Sequence, residues 1–304
     1  MGGGSRDGPV RGTSRAVRSV TLVGAAANLA LFALKLALGV AGHSRALVAD
    51  AVHSLSDLAT DAAILLGVRY WTAPPDEGHP HGHGRIETLL TLGLGVTLAG
   101  VAIGIAADAS VSLFRPVLPP TPGVLAAALA SIAIKEALYR WTVARGRALR
   151  SPALVANAWH HRSDAFSSVP VALAAGASLL LGPSWSLLDP VAALVVALLI
   201  LHAAWRIAAP AAGQLVDRGV SAERREELAA TARSTPGVRG VHDLRSRWVG
   251  PDLSLDLHVE VDADLTVAEG HRIADRVRRR LTEHHPEVRD VVIHVDPAGE
   301  DEER

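Results

Sequence analysis

Long apolar runs, broken at intervals by single polar residues, fill the chain up to Pro210, and a shorter-period alternation replaces them beyond it. Six runs, near 19–41, 46–71, 86–114, 122–144, 153–182 and 187–209, reach the roughly 20 residues that a helix needs to cross the hydrocarbon core. The pattern predicts a membrane all-α domain of six transmembrane helices. From 213 to 298 the reading is a small soluble α/β domain. Ser221 opens a helix over 221–234 that ends before Pro236-Gly237, and a second helix fits 267–284. Between them, 252–261 alternates apolar and polar residues, with Leu253, Leu255, Leu257, Val259 and Val261 on one face of a half-buried strand. Residues 238–248 and 290–296 read as its partners, so a three-stranded sheet with two helices on one face is expected.

Charge placement sets the orientation. Arg6, Arg11, Arg15 and Arg18 precede the first span, and Arg145, Arg147 and Arg150 separate the fourth from the fifth, whereas the opposite loops hold Arg45 and Arg115. Both termini are therefore expected on the cytoplasmic side. The domain reading is a disordered cytoplasmic tail at 1–15, a six-span transmembrane domain at 16–212, the α/β domain at 213–298 and a short tail at 299–304. The composition, 49% hydrophobic with 4% aromatic residues, a net charge of −1 and a mean hydropathy of +0.25, suits a membrane protein with a soluble appendage and speaks against a nucleic-acid partner. The 304 residues include 14 histidines and no cysteine, which excludes disulfides and thiolate sites and leaves His, Asp and Glu as ligands.

Two ionisable pairs lie inside the apolar runs: His53 with Asp57 in span two, and His160 with Asp164 in span five. Residues four apart stack on one helix face, so each pair can aim a nitrogen and an oxygen at one point. Together they compose a tetrahedral N2O2 set of the kind Zn²⁺ takes, with two carboxylates to neutralise the ion. Burying such groups in a bilayer costs about 2.5–3.5 kcal/mol each on insertion scales, which asks for a function. Asp50, Asp61 and Asn157 share the two stripes, and with His161 they read as hydrogen-bond partners behind the ligands or as groups at the cavity mouths. Lys135 and Glu136 read as pairing with other buried groups or lying near the cytoplasmic end.

Two further clusters lie outside the spans. Asp76, His79 and His83 fall in a Pro- and Gly-rich loop between spans two and three, where glycine lets the backbone turn ligands inward. His242, His258, His271, His294 and Asp296 come from three predicted strands and the start of the second helix, and strand ends can bring them together. His284 and His285 read as exposed residues at the end of that helix.

The runs Ala49-Asp50-Ala51-Val52-His53-Ser54-Leu55-Ser56-Asp57, His79-Pro80-His81-Gly82-His83-Gly84-Arg85-Ile86-Glu87, His160-His161-Arg162-Ser163-Asp164, His242-Asp243-Leu244-Arg245 and Ile293-His294-Val295-Asp296 carry a resemblance to the cation diffusion facilitators, homodimeric divalent-metal exporters. It covers about residues 16–298. It implies that His53, Asp57, His160 and Asp164 form the transport site, that Asp76, His79 and His83 form a loop site, and that His242, His258, His271, His294 and Asp296 form a cytoplasmic site near the dimer contact. It also implies a metallochaperone-like, ferredoxin-like cytoplasmic domain and an ion-pair interlock between Arg85 and Asp217 at the membrane surface. His53 stands where bacterial relatives often carry Asp, and the His-Asp-His-Asp set is similar to that of zinc-preferring members. The short link at 145–151 lacks the long histidine loop of vesicular zinc transporters, so a bacterial inner membrane is the expected location.

The function expected is export of Zn²⁺, with Cd²⁺, Co²⁺, Fe²⁺ and Mn²⁺ as other candidate cargoes, by alternating access in exchange for protons. Zn²⁺ is then substrate and a structural or regulatory ion, with no separate cofactor; the partners are a second copy, the bilayer and the proton. A membrane-anchored metal sensor or assembly protein, and a passive channel, are the alternatives. No nucleophile or general-base motif accompanies the histidines, so an enzyme is not expected.

Overall fold

The computed structural model describes residues 8–148 and 152–299. Its helices are α1 (Gly8–Ala41), α2 (Arg45–Trp71), α3 (Arg85–Ser112), α4 (Pro122–Ala148), α5 (Pro152–Ala165), α6 (Ser168–Leu181) and α7 (Leu188–Leu215), with a short 3₁₀ turn at Pro183–Leu187. Among the described residues, five segments are long and apolar enough to cross a membrane: Leu22–Ala41, Arg85–Ser112, Pro122–Ala148, Asn157–Leu181 and Pro183–Leu215. Helix α2, expected as a sixth, has the length at 27 residues, but Arg45, Asp50, Asp57, Asp61 and Arg69 lower its apolar character. The stripe that carries its chemistry is what sets it apart. The expected tail at 1–15 is helical from Gly8 onward, and its residues 1–7 lie outside the described residues. Of the expected tail at 299–304, residues 300–304 also lie outside them.

Chain segments 1–65 and 95–205 form one compact unit, and segments 66–94 and 206–304 another. The core of the first is built largely from alanine: Ala46 and Ala49 of α2, Ala102 and Ala109 of α3, Ala127 and Ala128 of α4, Ala174 and Ala175 of α6, and Ala192 and Ala193 of α7. Without a hydrophobic force between helices in lipid, association relies on close contact, and small residues let the backbones approach. Gly24 shows the same need, since a Cβ there would meet His161 Nε2 at 3.1 Å.

Polar groups fix the helices in place. The start of α2 is capped by Asp189 of α7, whose carboxylate accepts from Ser44 Oγ at 2.5 Å and from the backbone N–H of Arg45 at 2.7 Å. The Arg45 N–H is one of the backbone donors that a helix N-terminus leaves without intrahelical partners, and the negative charge suits the positive end of the helix dipole. The expected single helix over 153–182 is broken at Phe166-Ser167. Pro170 has no N–H to give the Phe166 carbonyl, and the chain tightens there to Phe166 N–H on Ser163 O, Ser167 N–H on Asp164 O and Val169 N–H on Phe166 O. Asp50 of α2 grips this break: Ser167 Oγ donates to its Oδ1 and Ser168 Oγ to its Oδ2, both at 2.6 Å. Lys35 of α1 completes the knot, with Nζ 2.9 Å from Asp50 Oδ2 and 3.1 Å from Ser54 Oγ. In α7, by contrast, Pro210 does not end the helix, which continues to Leu215.

In the second unit α8 (Ala222–Arg233), β1 (Gly240–Val249), β2 (Asp252–Val261), α9 (Val267–His284) and β3 (Val288–Pro297) follow in order. Ser221 and Thr266 cap the two helices, Thr266 in a reciprocal box with Glu269. The sheet runs β1-β2-β3, antiparallel then parallel. Leu253, Leu255, Leu257, Val259 and Val261 are all buried, against Leu228 and Ala232 of α8 and Ile273, Val277 and Leu281 of α9. The alternation seen in the sequence thus becomes the core face, and His258 belongs to the opposite one. His285, expected to be exposed, is buried at 8% and joins Arg224 and Thr231 of α8.

Two consequences are open to measurement. Asp50→Ala leaves the Lys35 ammonium buried without its counter-charge, which should cost about 3–5 kcal/mol; the thermal midpoint of the detergent-solubilised chain should fall, and adding Lys35→Met should recover part of the loss. Leu257→Ala should destabilise the α/β unit by about 2–5 kcal/mol, visible as faster amide exchange through β1–β3 in the intact chain.

Candidate metal centre

Helical periodicity puts His53 and Asp57 one turn apart on α2, and His160 and Asp164 one turn apart on α5. The structure turns these two faces toward each other. Ligand atoms of His53, Asp57 and Asp164 lie within 4.8 Å of one another. His160 flanks this trio without joining it: its ring is 53% exposed, with Nε2 4.0 Å from Asp57 Oδ1 and the opposite nitrogen, Nδ1, 3.6 Å from Asp164 Oδ1. A tetrahedral zinc with bonds of about 2.0–2.2 Å would space its ligands at about 3.3–3.6 Å, so to hold one the trio would draw together and His160 would turn one ring nitrogen inward. His53 Nδ1 and Asp57 Oδ2 are buried and have no hydrogen-bond partner, an expensive state that a cation relieves.

Behind the four residues stand two lysines. Lys135 of α4 reaches Asp164 Oδ2 at 2.7 Å, so the pairing expected for it is with one of the expected ligands. Lys35 serves Asp50, which therefore lies in the helix knot and turns its carboxylate to the two serines and this lysine. Asn157 Nδ2 lies 3.4 Å from His161 Nε2, and His161 is buried with Nδ1 lacking a hydrogen-bond partner. Asp61 belongs to α2, but its side chain lies outside the described residues.

The loop residues also converge. His79 N–H donates to Asp76 Oδ1 at 2.7 Å, His83 Nε2 is 3.3 Å from Asp76 Oδ2, and the two imidazole rings lie with centroids 4.4 Å apart, tilted by 43°. Gly82, at φ +80°, supplies the turn that brings His83 back. The His79 backbone N–H, aided by its ring, holds the Asp76 carboxyl below the ordinary carboxylate range. Close by in sequence, Arg85 donates to Asp217 Oδ1 at 2.6 Å within one chain.

Strand register builds the third cluster. His242 of β1 lies opposite His258 of β2, and His258 lies opposite His294 of β3, so three imidazoles stand in a row on the sheet face away from the helices. Ring centroids are 5.1 Å apart for His242 and His258 and 4.6 Å for His258 and His294. Asp296 joins them, 3.3 Å from His242 Nε2, 2.8 Å from His258 Nδ1 and 2.6 Å from His294 Nδ1. Partial burial pushes the Asp296 carboxyl up, yet hydrogen bonds from His258 and His294 outweigh it and the group sits below its ordinary range. His271 does not join the row. It is 72% exposed on α9 and pairs with Asp275 one turn on, because α9 covers the other face of the sheet.

The residues that position the buried set, Asp189, Ser167 and Ser168, belong to no recognisable motif. Their only signal is that they are polar residues in apolar helices.

Known proteins resemble the chain along most of its length. Residues 21–216 match the cation efflux transmembrane domain, and residues 220–298 match the cytoplasmic domain of cation efflux proteins. The chain is 37% identical over 293 residues to metal tolerance protein C1 of Arabidopsis thaliana, a match covering 91% of this chain and 61% of that protein. It is 33% identical over 292 residues to the manganese efflux system protein MneP of Bacillus subtilis, covering 93% and 97% respectively. Against the magnetosome protein MamB of a Magnetospira strain, identity is 33% over 271 residues, covering 89% and 92%. With both halves matched along almost their whole length, the chain belongs to the cation efflux family of divalent-metal transporters, which is not an enzyme family.

Proposed function

We propose that this protein exports a divalent transition-metal ion, Zn²⁺ foremost, from the cytoplasm in exchange for protons, through His53, Asp57, His160 and Asp164. The observation that carries the reading is the convergence of His53, Asp57 and Asp164 between α2 and α5 with His160 beside them, and with His53 Nδ1 and Asp57 Oδ2 buried and lacking hydrogen-bond partners. Two imidazoles and two carboxylates suit zinc in a closed tetrahedral site, and the carboxylates cancel its charge. Manganese, named for the Bacillus relative, is the leading alternative cargo. A sensor without transport would not need a complete cage inside the membrane helices.

Coupling rests on competition. A ligating imidazole must be neutral and a ligating carboxylate deprotonated, so metal and protons exclude each other from the same atoms. Protons arriving from outside expel the metal there; their loss to the cytoplasm restores the ligands. Residues 16–212 carry transport, while 213–298 form a cytoplasmic dimerisation and metal-sensing domain in which His242, His258, His294 and Asp296 bind metal. The Asp76, His79 and His83 loop adds a separate site, and Arg85 with Asp217 ties the chain together at the surface of a bacterial inner membrane.

Proteoliposomes test this directly. Zn²⁺ flux should require an imposed pH gradient and should fall at least a hundredfold in Asp57→Ala. Flux indifferent to the gradient would indicate a passive pathway, and Mn²⁺ flux exceeding Zn²⁺ flux would reassign the cargo.

A further inference from the structure

The two buried lysines sit in very different surroundings. Lys35 meets a carboxylate, Asp50, that also accepts from Ser167 and Ser168, so every partner in that knot is committed to holding helices together. Lys135, 1% exposed, meets Asp164 Oδ2, while Asp164 Oδ1 lies 3.6 Å from His160 Nδ1 on the cage side. One lysine belongs to the scaffold. The other touches the cargo site, on the far side of one of its ligands.

We propose that Lys135 is a positioning residue that sets the affinity of the transport site, acting as a tethered cation that shares Asp164 with the metal. Resting on the reading of the cage given above, the argument has two parts. With neutral imidazoles the cage carries two negative charges from Asp57 and Asp164, and Lys135 reduces this to one, so a dication enters against a fixed ammonium and is held less tightly. By engaging Asp164 Oδ2 the ammonium also leaves Oδ1 as the oxygen presented to the cage, which makes Asp164 a one-oxygen ligand. As the ion departs, the same ammonium compensates a carboxylate that would otherwise be buried bare, a strongly unfavourable state. A cage of two imidazoles and two carboxylates without such a group would bind zinc well and release it slowly; the lysine trades affinity for turnover.

The test uses the full chain in lipid nanodiscs, in a background with His79→Ala, His83→Ala and His258→Ala so that the buried cage dominates, and Zn²⁺ as the probe. Lys135→Met should tighten Zn²⁺ binding at least tenfold while lowering both KM and maximal flux in proteoliposomes. Lys135→Arg, which keeps the charge, should stay within about threefold of the background, which no merely structural account of the side chain requires. Lys135→Gln, able to donate to Asp164 without charge, should behave as Lys135→Met and stands in for it if the methionine variant does not fold. Binding that is unchanged or weaker in the folded neutral variant overturns the proposal. Asp57→Ala separates the two readings: if it abolishes binding the cage is the site and the lysine result stands on its own, whereas binding that survives Asp57→Ala overturns the cage reading and this proposal with it.

Discussion

Burying a charge in an apolar helix bundle is tolerable only when another element supplies its partner, and this requirement organises the membrane half of the protein. Lys35, Asp50, Lys135 and Asp164 are nearly inaccessible, and each finds its counter-charge on a different helix. Asp50 alone draws together α1, α2 and the break between α5 and α6, because its two oxygens accept from Lys35, Ser167 and Ser168. The alanine-lined contacts give the helices closeness but little direction, since small side chains interlock weakly. Direction comes from the polar knots.

Those knots also explain why the cage can be left unsatisfied. His53 and Asp57 keep atoms without hydrogen bonds in a buried place, a condition that costs roughly 1–3 kcal/mol for each such group. A flexible bundle would relax and pair them. Here α2 is held at its start by Asp189 and further along by the Asp50 knot, while α5 is held at the turn that follows Asp164, so both helices present their ligands from fixed positions. The break at Phe166-Ser167, caused by Pro170, frees the end of α5 from the course of α6 and lets its last turn face α2.

The α/β unit solves a different problem with the opposite material. Its core is aliphatic, its helices are capped by Ser221 and Thr266, and its metal-type residues stand in a row because three strands bring equivalent positions side by side. In this unit a face of the sheet free of helices, rather than a buried stripe, exposes the histidines.

Much of this was readable from local period. The helical spacing of His53 with Asp57 and of His160 with Asp164, the alternation through β2 and the start of α9 each depend on contacts a few residues apart, and the structure keeps all of them. What depends on rotation and register between distant elements was not readable. The spacing could not say that Lys135 would reach Asp164, that Asp50 would spend its oxygens on two serines past a helix break, that His271 would lie on the covered side of the sheet while three other histidines aligned on the open one, or that His285 would turn inward. By itself the sequence determined which residue types line each helix and strand face, because that is set by 3.6-residue and two-residue periods. Only the tertiary structure decided which charge answers which, because a buried ion pair is chosen by the geometry of neighbouring elements, and its energy falls steeply with a few ångströms of separation.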